Sequence, residues 1–255
     1  MSKRKRFITT SALLSLGFIA IQLVTEQYKV ASIIGLSLLT IPFMAWSLRG
    51  ALGFNMTTMV FVLPLLFTLG VGFFWFLLPV TLFARIPIVI LFGIGIYTLC
   101  LTLNIYTVSA IRTIALLRAA RGVGFVLTLL TFFLLFDTLL SLRWWSYLSS
   151  GIVFLVSVPM YLQGFWSFDL EHSLNKKLLT MSIISSLVMT EVTGIIFFWP
   201  VGVVVGSLFL TVTAYVLLGL GQAEIEGRLF VQTIREYLLV GLSVMIGMFL
   251  ATHWS

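Results

Sequence analysis

Two carboxylates stand inside otherwise apolar runs of this 255-residue chain: Asp137 in FFLLFDTLLSL and Glu191 in SLVMTEVTGIIFFW. An acid surrounded by phenylalanine, leucine and isoleucine has two uses. It can carry a proton or a cation through an apolar medium, or it can tie one helix to another through a hydrogen bond. Asp137 lies about 15 residues beyond Gly122 and Glu191 about 14 beyond Lys177. At ~1.5 Å per residue both sit ~20 Å along their helices, so they could share one polar layer. Gln22 falls at or near the same level, as does Arg143, which with Arg85 could reach down to an acid; His253 is expected beyond it, at the surface. On Glu191's own helix the hydroxyls of Ser182, Ser186, Thr190 and Thr193 fall on the opposite side, and its face carries Leu187, Ile195 and Phe198. Glu191 therefore needs a partner from another helix.

Other polar groups invite weaker readings. Asn104 in LTLNIYTVS and Gln163 in MYLQGFW suit hydrogen bonding between helices, with water or solute lining as the alternative. Asp169, Glu171 and His172 in FDLEHSLNKK are the nearest approach to an acid/base or metal cluster. Their spacing matches no HExxH motif, and His253 is the one other histidine, so no metal site is expected. Cys100 is the single cysteine, which rules out an intrachain disulfide or a CxxC pair. Mid-membrane lysines, paired intrahelical histidines, a P-loop and a GxSxG elbow are all missing from the sequence, so no cofactor is expected and an enzyme is disfavoured.

Composition sets the medium in which these groups work. The chain is 60% hydrophobic and 9% charged, with 23 phenylalanines, and its mean hydropathy is +1.17. A soluble domain of this size needs a polar surface that so few charges cannot cover. The net charge of +7 would suggest nucleic acid in a soluble protein. Here the bases are scattered between apolar runs and no basic stretch is long enough to track a phosphate backbone, so nucleic acid is not expected as a partner. Anionic lipid headgroups are the expected counter-charge.

Nine runs have the length and continuity of helical spans, near 7–25, 30–48, 56–80, 86–109, 123–142, 147–166, 178–199, 201–221 and 237–252. Continuous apolarity favours helices over barrel strands, which alternate. The fold class is thus an all-α polytopic integral membrane protein with about nine transmembrane helices, or eight, and short loops. A single transmembrane domain, 1–255, is expected, with longer connections at 110–122, 167–177 and 221–236. The basic start MSKRKR precedes an apolar run too long for a signal peptide, with no cleavage site after it, and reads as an uncleaved first span.

Basic residues orient such a chain, because they accumulate on the cytoplasmic side. With the N-terminus cytoplasmic, only Lys29, Arg85 and Arg143 of the 15 Lys and Arg fall outside. The three long connections are then cytoplasmic, and a cytoplasmic or plasma membrane is the expected location. Arg112, Arg118, Arg121, Lys176, Lys177, Arg228 and Arg235 are the expected headgroup or partner contacts. Arg118 and Arg121 lie about 60° apart on a helix and Arg112 about 180° from Arg121, so the arginines of IRTIALLRAARG anchor two spans rather than share one ligand. The 221–236 connection reads as a short interfacial helix with Glu224 four residues before Arg228, a favourable ion-pair spacing.

Gly202 and Gly206 in GVVVG, and Ser243 and Gly247 in SVMIG, are small-xxx-small pairs that permit close helix packing, inside the bundle or across a homo-oligomer face. Taken together, these features favour a non-enzymatic membrane scaffold or subunit with a membrane-protein partner. The alternative is a small-solute or ion transporter that uses the intramembrane carboxylates.

Overall fold

The computed structural model describes residues 2–49, 58–78, 82–109, 115–170 and 175–252. Among the described residues the chain forms nine α-helices and no strand: α1 (Lys3–Ile21), α2 (Glu26–Ser47), α3 (Met59–Phe74), α4 (Leu82–Ser109), α5 (Leu117–Ser141), α6 (Ser146–Asp169), α7 (Lys176–Phe197), α8 (Val203–Ile225) and α9 (Val231–Leu250). A 3₁₀ turn, Trp75–Leu77, extends α3. Eight of them, α2 to α9, are long and apolar enough to cross a membrane. In α1, Lys3 to Arg6 fill the first turn, leaving roughly 22 Å of apolar helix from Phe7, which spans a ~30 Å core only if its bases snorkel.

The packing divides the chain into two compact units, Met1–Thr131 and Phe132–Ser255. Helix α5 contributes 117–131 to the first and 132–141 to the second.

In the first unit α1 packs on α2 and α4, and α3 on α2 and α4. Glycines set these approaches: a side chain on Gly17 would strike Leu36, one on Gly72 would strike Ile33, and one on Gly95 would strike Phe67. Aromatic rings fill the space between, with Phe18 edge-on to Trp75 and stacked on Phe92. Polar groups also tie these helices together. Ser11 donates to the Gly93 carbonyl at 2.5 Å, and the Thr40 and Thr68 hydroxyls bond at 3.2 Å between α2 and α3. Such bonds hold helices together in a medium where the hydrophobic effect between them is absent.

In the second unit α6 packs most extensively on α7, with α8 against both and α9 against α8. Four hydroxyls of α7 are spent on their own helix: Ser182, Ser186, Thr190 and Thr193 each donate to the carbonyl four residues back at 2.7 Å. In hydrocarbon this satisfies them without a second helix. Helix α7 starts at Asn175, whose side chain accepts from the Lys177 backbone N–H at 3.0 Å.

Three expectations change at helix ends. Helix α5 begins at Leu117, so Arg118 and Arg121 lie in its first turns rather than in a connection, because LRAAR continues a helix well although it is not apolar. The interfacial helix expected over 221–236 is instead the end of α8 and the start of α9. Gly227, at φ +67°, closes α8 in a Schellman turn: the Arg228 N–H reaches the Ala223 carbonyl at 2.8 Å and the Gly227 N–H the Glu224 carbonyl at 3.2 Å. This left-handed residue takes Arg228 off the helix, and the expected Glu224–Arg228 pairing gives way to two others. Arg228 pairs with Glu226 and Lys177 with Glu224, each at 2.9 Å.

Candidate functional site

Asp137 and Glu191 both belong to the second unit and have opposite surroundings. Asp137 is buried, 5% exposed, four residues before the end of α5. Ser207, four residues into α8, meets it there with Oγ 3.0 Å from Asp137 Oδ1. The same Oγ is 3.0 Å from the Val204 carbonyl, and its one hydrogen serves one of these acceptors at a time. Two helices running in opposite directions thus bring matched depths together. Neither arginine suggested for this acid pairs with it. Arg85 lies in the first unit with its guanidinium 5.1 Å from the Trp75 ring centroid, and Arg143 is exposed just past α5 in a left-handed conformation, φ 47°.

Glu191 is exposed. It stands on the outer stripe of α7 with Ile184, Leu187, Ile195 and Phe198, which are 56%, 48%, 59% and 80% exposed. The opposite stripe, Ser182, Ser186, Met189 and Thr193, is buried against the rest of the unit. No hydrogen bond or ion pair reaches Glu191 among the described residues. It lies 15 residues from Lys176 and six from Phe197, about 22 Å and 9 Å along the axis, within the apolar length of α7. A carboxylate at the centre of a spanning helix costs ~2.5–3.5 kcal/mol, less toward the ends.

The remaining polar candidates are dispersed. Gln163 on α6 is 1% exposed and its Oε1 has no hydrogen-bond partner among the described residues. Asn104, half-buried on α4, also leaves its Oδ1 unbonded, and Gln22 is the half-buried C-cap of α1; both belong to the first unit. Sequence reasoning passed over Ser157 and Tyr161, one turn apart on α6 and both 0% exposed, whose hydroxyls have no bond among the described residues. Tyr161 is held by rings, with Phe132 at 5.3 Å and Phe165 at 5.8 Å between centroids. A tyrosine and a serine among aromatics carry no sequence signal of this kind. Ser207 did carry one, since it stands as far into its span as Asp137 stands from the end of its own.

The basic residues collect at helix ends. Arg118, Lys176 and Arg235 are exposed, Arg121 is half-buried, and Lys177 and Arg228 are paired with acids as described. Arg112, Glu171, His172 and His253 lie outside the described residues, so only Asp169, the last residue of α6, represents the FDLEH cluster. Of the small-residue pairs, Gly206 makes a close approach: a Cβ there would lie 3.2 Å from both Ile196 of α7 and Leu140 of α5. Gly202 is the exposed N-cap of α8 with open space around it. Ser243 and Gly247 lie on the exposed face of α9, with the Ser243 hydroxyl bonded to its own Leu239 carbonyl at 2.7 Å.

Eight apolar helices of spanning length, many with hydroxyls bonded to their own carbonyls, and an exposed apolar surface define an all-α polytopic membrane protein. Residues 9–251 match the family described as "Protein of unknown function (DUF5656)", and the chain belongs to that family. Comparison with curated proteins finds no match, and comparison with solved structures finds none.

Proposed function

We propose that this protein is a membrane-embedded subunit that binds another transmembrane helix along the outer face of α7, with Glu191 accepting a hydrogen bond or ion pair from that helix. The observation that carries this reading is the position of Glu191: an exposed carboxylate, unbonded among the described residues, within an apolar stripe. An acid at that depth is stabilised by a donor, and Ser182, Ser186, Thr190 and Thr193 of its own helix are already bonded to carbonyls of α7. The partner is a helix with a lysine, arginine or histidine roughly 9 Å below the end of its span, flanked by apolar residues that cover Leu187 and Ile195. Asp137, by contrast, is a structural tie between α5 and α8, with Ser207 as its partner.

The transport reading draws on a different observation, the buried Ser157, Tyr161 and Gln163 oxygens of α6, which could line a hydrated path if it opened. Replacing Glu191 with Gln and with Leu separates the readings. A subunit loses its partner on Glu191→Leu and keeps most of it on Glu191→Gln, with unfolding in detergent unchanged. A transporter retains its partners in both, and loses solute flux in reconstituted vesicles on Gln163→Leu instead.

A further inference from the structure

Helices α8 and α9 pack against each other and are pinned together at both ends. At one end the Tyr237 ring lies over Gly219, where any side chain would strike it, and beside Tyr215 at 5.3 Å between centroids. At the other, Trp199 Nε1 donates to Thr252 Oγ1 at 2.8 Å. Along one side of this pair runs a groove of about 740 Å³, within the ~300–1,000 Å³ of ligand sites. Phe209 and Val216 of α8 and Leu238, Leu242 and Met245 of α9 line it, and Arg235 stands toward one end beside Val231. Its one hydroxyl, from Thr213, is bonded to the Phe209 carbonyl at 2.9 Å, so the wall offers hydrocarbon contact and a single cation.

The polarity is graded along the groove. Arg235 lies in the second turn of α9, near the end of the unit that holds the Lys177–Glu224 and Arg228–Glu226 pairs. Those acids are engaged, and Arg235 has no ion-pair partner among the described residues. From Arg235 to Met245 is ten residues, about 15 Å, the thickness of one leaflet of a ~30 Å hydrocarbon core. A cation at headgroup level with one leaflet's depth of apolar groove behind it has the outline of one membrane lipid.

We propose that the α8–α9 groove holds an acyl chain of a glycerophospholipid whose phosphate is bound by Arg235. The guanidinium offers paired N–H donors to phosphate oxygens, and Leu238, Leu242 and Met245 cover the chain. This site is independent of Glu191, which lies on the outer stripe of α7.

The test uses the full chain purified in mild detergent, stripped of lipid, and mixed with phosphatidylglycerol, phosphatidylcholine or inorganic phosphate, with retained ligand counted by native mass spectrometry. The expected result is one phospholipid per chain, with retention lowered at least tenfold by Arg235→Gln and largely kept by Arg235→Lys. Gly241→Phe, which puts a ring into the groove from a position where a Cβ would lie 3.5 Å from Val216 and leaves Arg235 in place, should lower it as well. Equal retention by wild type, Arg235→Gln and Gly241→Phe would overturn the proposal. Loss in Arg235→Gln with full retention in Gly241→Phe would also overturn it, as would competition by inorganic phosphate alone, since either marks a headgroup site without a bound chain.

Discussion

Asp137 and Tyr161 are both buried, yet they differ in what their oxygens meet, and the difference has a measurable sign. Asp137 has Ser207 at 3.0 Å. Ser207→Ala leaves that carboxyl unbonded in an apolar interior, with an expected loss of about 1–3 kcal/mol in unfolding in detergent. Asp137→Asn keeps a side chain that can donate to Ser207 Oγ while Oγ donates to Val204, and is expected to stay within about 1 kcal/mol of wild type. Tyr161 has rings around it and no bond to its hydroxyl among the described residues. Tyr161→Phe removes an unsatisfied group without changing the packing, and stability should rise by about 1 kcal/mol. A fall of that size would show that the hydroxyl is bonded, through water or otherwise.

Elements were legible wherever the sequence relied on hydrophobicity alone. Runs such as 123–142 reach the ~20 residues a span needs, and helices were found there. Ends were less legible, because helices begin and stop by local rules that apolarity does not report. Helix α5 starts among Leu117, Arg118 and Ala119, good helix formers that are not all apolar, and α8 stops at Gly227, whose left-handed backbone breaks the Glu224–Arg228 spacing. Pairing between elements was not legible either. Nothing in a list of glycines distinguishes Gly206, pressed by Ile196 and Leu140, from Gly202, which faces open space. The same holds for Gly219, the seat of the Tyr237 ring. Gly219→Leu should push that ring out and free α9, lowering stability by about 1–3 kcal/mol and exposing the connection at Glu226 to Phe230 to protease. An unchanged digestion pattern would mean that α9 is held elsewhere.

For the whole molecule, the sequence carried the medium and the alternation of spans, and left open what meets the protein in the membrane. With α1 crossing in addition to the eight longer helices, the two ends of the chain are expected on opposite faces. In a Cys100→Ser background, cysteines placed at Ser2 and Lys177 are expected to react with an impermeant reagent from one face, and those at Lys29 and Arg143 from the other. Ser2 and Lys29 reacting from the same face would mean that α1 does not cross, leaving the eight helices that qualify by length and composition. The carboxylates show why the site was only half legible. Depth put Asp137 and Glu191 on one level, but which face of α7 turns inward depends on packing, and it turned the serines in and the glutamate out.

That outward glutamate carries the central claim, and photo-crosslinking tests it most directly. A photoreactive residue placed at Leu187 or Ile195, on either side of Glu191, is activated in the native membrane and its adduct is sequenced. The expected product is one protein, joined through an apolar helix that carries a lysine, arginine or histidine, with a yield at least tenfold lower in Glu191→Leu. Adducts to lipid alone, or a protein adduct whose yield ignores residue 191, would contradict the assignment of this face as a docking surface.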